Sequence, residues 1–335
     1  MNTETIETIS NKILHNLPPD IAVNRDDLIS LRAYAQGLTL VPGQKSASVL
    51  SGHHQSRFRG RGMDYLESRH YQPGDDVRNF DWRVTARTNH PHIKLYVEER
   101  EQPVIILIDL SSSMSLASQG AFKSVIAARI AAILGWVSVA QGDRVGGLVY
   151  RDPDNHIELK PMGGRQGILH LIDQLTELGK PHLAFDSEQS SLPDLIFERI
   201  LQMSRHGSQV IIISDFINPS ANAHESLQKL KYHNNVLAIQ VVDPLEMMAP
   251  PEGEYGVSDG LLNWRMNLKT HTQQQSLEKV LQKRQEDIQN EFSDLNIPLL
   301  QVMTNDNIDT VLHDFLKNKP LGYQGNLLRQ GDAVL

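Results

Sequence analysis

Hydrophobic residues follow different patterns on either side of residue 103. Before it, Asp26 to Gln36 has the spacing of a short helix, whereas from Val41 to Gln102 glycine, arginine and aromatic residues interleave without a helical period. After it, short apolar runs alternate with helical patterns. This predicts an N-terminal helical segment over residues 1–40, a small loop- and strand-rich module over 41–102, an α/β domain over 103–318 and a flexible tail over 319–335.

The alternation after residue 103 predicts the fold class. The runs Pro103 to Asp109 and Gln209 to Ser214 are apolar and rich in β-branched residues, which is typical of strands covered on both faces. A nearly all-apolar helix is predicted from about Ala121 to Gln141. Two short strands, Arg144 to Tyr150 and His156 to Lys160, are separated by a connection of hairpin length. We therefore predict a doubly wound, mostly parallel sheet with one antiparallel edge strand.

Oxygen-bearing side chains follow both predicted buried strands. Asp109, Ser111 and Ser113 come after the first strand, and Asp215 comes after the second. The carboxyl edge of an open α/β sheet is where ligands bind, and carboxylate and hydroxyl oxygens suit Mg²⁺ or Mn²⁺. These four residues are therefore predicted to bind a divalent cation. In the alternative interpretation, the Asp-x-Ser-x-Ser turn only caps the helix that follows.

Several of these motifs resemble known families. Asp109-Leu-Ser-Ser-Ser113 resembles the metal-ion-dependent adhesion motif of von Willebrand factor type A domains, and Ile213-Ser-Asp215 and Gly142-Asp-Arg-Val-Gly146 resemble later parts of that fold. Upstream segments resemble the hallmark of a bacterial family, the domain of unknown function 58, which is usually found beside MoxR-type AAA+ ATPases. Those segments are Gly60-Arg-Gly-Met-Asp-Tyr65, Arg69-His-Tyr-Gln-Pro-Gly-Asp-Asp-Val-Arg78, Asp81-Trp-Arg83 and Lys94-Leu-Tyr-Val-Glu-Glu99.

The resemblance implies a von Willebrand factor A-like, Rossmann-like fold and a non-enzymatic role in protein–protein interaction. The implied partners are a MoxR-type AAA+ ATPase and other von Willebrand factor A-like proteins, in a chaperone-like system for protein maturation or assembly. One position departs from the adhesion motif: Gly163-Gly-Arg165 stands where such sites have Gly-Gly-Thr. Arginine cannot ligate a cation. Either the other four residues hold the metal, or Arg165 replaces the charge of the metal and meets the partner.

Arginines are concentrated in the small module, which suggests an anion or nucleic-acid site. Acidic residues alternate with them, however, so arginine–carboxylate pairs inside the module are the preferred interpretation. The arginines are Arg57, Arg59, Arg61, Arg69, Arg78, Arg83 and Arg87. Pro73-Gly74 predicts a type II turn with positive φ at Gly74. Asp75, Asp76 and Arg78 leave that turn as candidate partner-binding residues, while Trp82 and Trp136 are predicted to lie in the core.

Charge and composition reduce the number of function classes that the chain can belong to. The net charge of −8 argues against nucleic-acid binding, and the absence of cysteine excludes disulfides and thiolate zinc sites. The longest apolar segment is shorter than the roughly 20 residues of a membrane span. We therefore predict a cytoplasmic protein without membrane insertion. The enzymatic alternative is an Mg²⁺-dependent phosphohydrolase with Asp109 as nucleophile, but such folds need a second aspartate where this chain has Ser111. We predict no enzymatic activity.

Overall fold

The computed structural model describes residues 20–40, 63–98, 102–180, 193–217, 222–258, 263–268 and 270–318. The predictions for residues 1–19, for the tail 319–335 and for Arg57, Arg59 and Arg61 lie outside these ranges. By its contacts the chain forms two compact units. The large unit comprises Met1–Ser46 and Gln102–Leu335, and the small unit comprises Ala47–Glu101.

Both units contain strands as well as helices. The strands are β1 (Met63–His70), β2 (His92–Glu98), β3 (Pro103–Asp109), β4 (Arg144–Asp152), β5 (Asn155–Met162), β6 (Gln209–Ser214), β7 (Asn235–Val242), β8 (Gly253–Ser258), β9 (Asn263–Leu268) and β10 (Leu299–Met303). The helices are α1 (Arg25–Ser30), α2 (Trp82–Thr88), α3 (Lys123–Ala140), α4 (Gly164–Leu178), α5 (Asp194–Met203), α6 (Ala223–His233), α7 (His271–Asp294) and α8 (Ile308–Asn318). Single 3₁₀ turns occur at Leu31–Ala33, Val77–Asn79, Ser112–Met114 and Pro244–Glu246.

The large unit is built on a six-stranded sheet in the order β10-β7-β6-β3-β4-β5. All neighbours are parallel except β4 and β5, which form an antiparallel hairpin at one edge. Side chains of β3 alternate between two cores, with Ile106 and Ile108 on one face and Ile105 and Leu107 on the other. Because both faces are covered, the strand is apolar throughout. The predicted mixed α/β fold with a mostly parallel sheet is confirmed.

Helix α3 fills the core on one face of the sheet, and most of its residues are buried. Among the described helices it alone is long and apolar enough to cross a membrane, a property it shares with core helices of other proteins. Residues 20–40 pack on it. The indole N–H of Trp136 donates to the carbonyl of Leu28 at 3.1 Å, and Arg129 pairs with Asp27 at 2.8 Å. The N-terminal segment therefore belongs to the α/β unit.

In the small unit, β1 and β2 pair in antiparallel fashion, and α2 lies between them in the chain. The predicted turn is confirmed, because the Asp75 N–H donates to the Gln72 carbonyl and Gly74 has a φ of 108°. The prediction that Trp82 lies in the core is wrong. Its side chain is 72% exposed and stacks on Phe80 at a centroid distance of 5.0 Å. Trp82 is the first residue of α2, directly after the N-cap Asp81.

Candidate functional site at the carboxyl edge of the sheet

Three neighbouring strands of the sheet each lead into a buried aspartate. Asp109 ends β3, Asp215 follows β6 and Asp243 follows β7. Because these strands are parallel and adjacent, the three carboxylates lie along one edge. None is more than 1% exposed. The sequence predicts Asp109 and Asp215 at this edge, but it does not predict Asp243.

The Asp109 carboxylate is held by hydrogen bonds from both sides. One oxygen accepts from the Ser111 backbone N–H at 2.9 Å, and the other accepts from the Ser214 hydroxyl at 2.6 Å. Burial, followed by the charge of Asp215, raises the pKa of Asp109 to about 7. Within the described residues, no lysine, arginine or histidine pairs with it. Asp109 is therefore a buried carboxyl group that lacks a counter-charge.

The two predicted serine ligands lie beside Asp109. The hydroxyl oxygens of Ser111 and Ser113 are 3.2 Å apart, with Ser111 buried and Ser113 half-buried. Neither serine caps α3, whose N-cap is Phe122, and Ser111 makes no side-chain cap to the 3₁₀ turn that follows it. The capping interpretation therefore accounts for the hydrogen bond that the Ser111 backbone N–H donates to Asp109, but not for the two hydroxyls.

Asp215 has a different partner from the one predicted. The ammonium of Lys123 lies 2.9 Å from one Asp215 oxygen and 2.7 Å from a Glu246 oxygen. The second Asp215 oxygen accepts from the backbone N–H of Ile217 at 3.0 Å. Lys123 is fully buried. Asp215 is therefore already paired with a cation that belongs to the protein.

The electrostatics of Lys123 depend on these two acids. Burial alone would lower the pKa of the lysine, but the charges of Asp215 and Glu246 outweigh it and raise the pKa. Lys123 is also the first residue of α3, where the helix dipole disfavours a cation. The two carboxylates thus stabilise the ammonium against both burial and the dipole.

Asp243 organises the loops around this edge. Its carboxylate accepts from the backbone N–H and hydroxyl of Ser118, both at 2.6 Å, and from the Thr304 hydroxyl at 3.1 Å. Burial alone would raise its pKa, but these hydrogen bonds hold it below its usual range. Its own N–H donates to Glu246, which completes a capping box at Pro244–Glu246. Asp243 is therefore saturated with donors and holds Glu246 in position.

These contacts decide which residues suit a divalent cation. Asp109, Ser111 and Ser113 supply one carboxylate and two hydroxyls, which are hard oxygen ligands. Both oxygens of Asp109 and both oxygens of Asp215 accept hydrogen bonds, but only at Asp215 is one of the donors an ammonium, which already supplies a positive charge. The described residues contain no cluster of three histidine, cysteine or acidic side chains that could hold a metal. The arrangement therefore fits a cation bound by Asp109, Ser111 and Ser113. These ligands supply one carboxylate, whereas the predicted set has two.

Arg165 does not face Asp109. In the register of the hairpin Met162 pairs with Val145, whereas Asp109 pairs with Tyr150 at the other end of β4. These two positions on β4 are about 16 Å apart. Gly167, in the first turn of α4, packs against the carbonyl of Val145, so this turn stays at the amino edge. This register contradicts the hypothesis that Arg165 replaces the charge of the metal. Among the described residues, the cation that pairs with an acid at the carboxyl edge is Lys123.

The partner-binding candidates of the small unit have mixed surroundings. Asp75 accepts from the guanidinium of Arg69 at 2.7 Å and from the Gln72 N–H at 2.8 Å. Asp76 caps a 3₁₀ turn by accepting from the Arg78 N–H. The side chain of Arg78 itself is exposed. The two aspartates thus make hydrogen bonds within the unit, and Asp76 and Arg78 are the two members of the set that are exposed to solvent.

Lys123 is one of the site residues that the sequence pattern did not reveal, together with Asp243 and Glu246. A lysine in the first turn of a helix is ordinarily solvent-exposed. The available signal was its position in a helix with only one other charged residue, Arg129, together with two acids after neighbouring strands. A charged residue on such a helix has to meet an opposite charge inside the protein.

Solved structures give a distant likeness. The conserved hypothetical protein BatB from Bacteroides thetaiotaomicron aligns with a TM-score of 0.41 and 18% identity, covering 64% of this chain and 98% of that one. An aerotolerance-related membrane protein from Bacteroides fragilis aligns with the same TM-score and 15% identity, covering 66% of this chain and 98% of that one.

Relatives in sequence are closer. The uncharacterized protein Rv1480 of Mycobacterium tuberculosis is 31% identical over 242 residues, which is 72% of this chain and 74% of that protein. The uncharacterized protein Mb1516 of Mycobacterium bovis matches equally well. The model of the family described as protein of unknown function DUF58 matches residues 67–289, a range that holds Asp109, Lys123, Asp215 and Glu246. The chain therefore belongs to the DUF58 family.

Proposed function

We propose that this protein is a von Willebrand factor A-like interaction module that binds a divalent cation, Mg²⁺ or Mn²⁺, at Asp109, Ser111 and Ser113. The observation that carries the proposal is a contrast between two buried carboxylates. Asp215 has the ammonium of Lys123 beside it, whereas Asp109 has no cationic partner among the described residues. A buried charge without a partner is costly, so a cation at Asp109 would stabilise the ionised form.

The chemistry of the three residues suits a site that a partner completes. One carboxylate and two neutral hydroxyls would leave a bound divalent ion with net positive charge and with open positions. Mg²⁺ commonly keeps waters and takes its remaining ligands from the molecule that it binds. The half-buried Ser113 gives the cluster its access to solvent. An acidic side chain of a partner protein is the ligand that this charge favours.

The identity of the partner rests on resemblance. The motifs of the DUF58 family are usually found beside MoxR-type AAA+ ATPases, so we propose such an ATPase, together with other von Willebrand factor A-like proteins, as partners. In this proposal the protein works in the cytoplasm, in a chaperone-like system for maturation or assembly. The exposed Arg78 of the small unit is a second candidate contact.

A non-enzymatic role agrees with the surroundings of Asp109. Both of its oxygens accept hydrogen bonds, at 2.9 and 2.6 Å, and the side chain is fully buried. A nucleophilic aspartate needs an oxygen that can reach the phosphorus of a substrate. Ser111 also stands where a phosphohydrolase would have its general acid. The contacts thus favour a supporting carboxylate over a reacting one.

Metal titration tests the proposal. The full chain, stripped with a chelator, is titrated calorimetrically with Mg²⁺ and Mn²⁺ as wild type, Asp109→Asn and Asp173→Asn. Asp173 is a half-exposed carboxylate on α4, so its variant controls for the loss of one negative charge. We expect one ion to bind to the wild type and to Asp173→Asn and none to bind to Asp109→Asn. Equal binding by all three proteins would contradict the proposal.

A further inference from the structure

We propose that Lys123 is a resident cation: its ammonium occupies a cation position between Asp215 and Glu246 and closes this pair of carboxylates to metal ions. The inference deepens the proposed function, because it assigns the metal-binding role at the edge to Asp109 and withholds it from Asp215. Its test does not require an ion at Asp109.

The surroundings of the ammonium are those of a bound ion. Three separate elements converge on it, namely the end of β6 with Asp215, the 3₁₀ turn with Glu246, and the start of α3, which supplies the lysine itself. The lysine side chain is fully buried, and the side chains of Asp215 and Glu246 are 1% and 14% exposed. The remaining oxygens of the two acids accept from backbone N–H groups of Ile217 and Asp243. Both carboxylates are therefore fixed in direction and saturated while the ammonium is present.

The distances indicate which ion would fit the position without the lysine. Nitrogen-to-oxygen distances of 2.7 and 2.9 Å exceed the Ca²⁺–oxygen distance of roughly 2.3–2.6 Å by a small amount and the Mg²⁺–oxygen distance of roughly 2.0–2.1 Å by much more. Two carboxylates held at this spacing would need only a small movement to close on Ca²⁺. The vacated position should therefore prefer Ca²⁺ over Mg²⁺.

Because the ammonium of Lys123 is part of the chain, this end of the edge can fold without a metal ion. It neutralises Asp215 and holds the turn that carries Glu246, whether or not the solution contains a metal. Only the Asp109 end of the edge then depends on a divalent ion. The protein would keep its fold in the metal-free state and remain ready to bind.

The first test counts ions in variants of the full chain. Lys123→Met keeps an unbranched side chain that is one atom shorter and so removes the ammonium, and we expect it to bind one Ca²⁺ more than the wild type in a calorimetric titration. In Lys123→Met/Asp215→Asn this additional ion should be lost, whereas in Lys123→Met/Asp109→Asn it should remain. No additional Ca²⁺ in Lys123→Met, or an additional ion that survives Asp215→Asn, would overturn the inference. The outcome with Asp109→Asn separates it from the proposed function, since the added ion does not depend on Asp109.

A second test uses the wild type and does not depend on the folding of a variant. Amine methylation of the native, chelator-treated protein is followed by peptide mass spectrometry. Lys229, whose side chain is 59% exposed, serves as the internal control. We expect Lys229 to react while Lys123 stays unmodified, because its ammonium remains sequestered without metal. Reaction of both lysines at similar rates in the folded protein would overturn the inference.

Discussion

The carboxyl edge of the sheet and the small unit both bring acids and bases together, but under different conditions. At the edge Asp109, Asp215 and Lys123 are buried, so each charge needs a partner or a shifted pKa. In the small unit the Arg69–Asp75 pair is partly exposed and Arg78 is exposed, so water can solvate these charges. An unpaired charge at the edge therefore indicates a binding site, because burial makes such a charge costly. An unpaired charge on the small unit indicates no site, because water solvates it.

The largest effect is expected from breaking the buried ion pair. Asp215→Asn keeps the shape of the side chain but leaves the buried Lys123 with one acid, and removal of one partner from a buried pair costs about 3–5 kcal/mol. The free energy of unfolding in urea, with a chelator present, measures the loss. Asp173→Asn breaks an exposed pair with Arg25 and should cost far less. Similar losses of unfolding free energy in the two variants would mean that water reaches Lys123 and Asp215.

The titration of Asp109 should appear in the pH dependence of stability. Its pKa is about 7 in the fold against 3.8 as the reference, so between these values the folded state holds a proton that the unfolded chain has released. The contribution of Asp109 to stability is therefore greatest at low pH, falls as the pH rises and levels off above about 7. The slope approaches about 1.4 kcal/mol per pH unit.

The control for this prediction is Asp109→Asn, which cannot titrate. Unfolding free energies of the wild type and the variant, measured from pH 5 to pH 8 in chelator, should diverge in favour of the variant as the pH rises. Mg²⁺ should then stabilise the wild type at pH 8 by binding the ionised carboxylate. Parallel pH profiles would contradict the raised pKa.

Much of this edge follows from the sequence, because parallel strands fix where side chains emerge. Asp109 and Asp215 follow apolar runs that are typical of buried strands, and adjacent parallel strands place such residues together. Lys123 could not be placed in this way. Its burial depends on the loop that brings Glu246 to the start of α3, a contact between residues 123 positions apart in the chain.

Two predictions, for Arg165 and for Trp82, are wrong for identifiable reasons. Arg165 was assigned by its order in the chain, but β5 is antiparallel and returns the chain to the amino edge before α4 begins. The prediction for Trp82 rests on the average burial of tryptophan, whereas in the structure the ring is exposed and stacks on Phe80. Both errors concern where a residue lies in the fold, which composition and order in the chain do not fix.

A smaller effect should distinguish two arginines of the small unit. Arg69→Ala removes a bridge to Asp75 and to the carbonyl of His70, so we expect the melting temperature to fall by a few degrees at most. Arg78→Ala removes an exposed side chain and should leave the melting temperature unchanged within error. Differential scanning calorimetry of the full chain makes the comparison. A larger loss in Arg78→Ala would show that this guanidinium holds the unit together.

The central claim is that the edge has one position for a divalent metal ion and one occupied by a lysine. Anomalous scattering from crystals soaked in Mn²⁺ locates metal directly. The account predicts one peak within coordination distance of Asp109, Ser111 and Ser113 and no peak between Asp215 and Glu246. A peak between Asp215 and Glu246, or no peak beside Asp109, would contradict it.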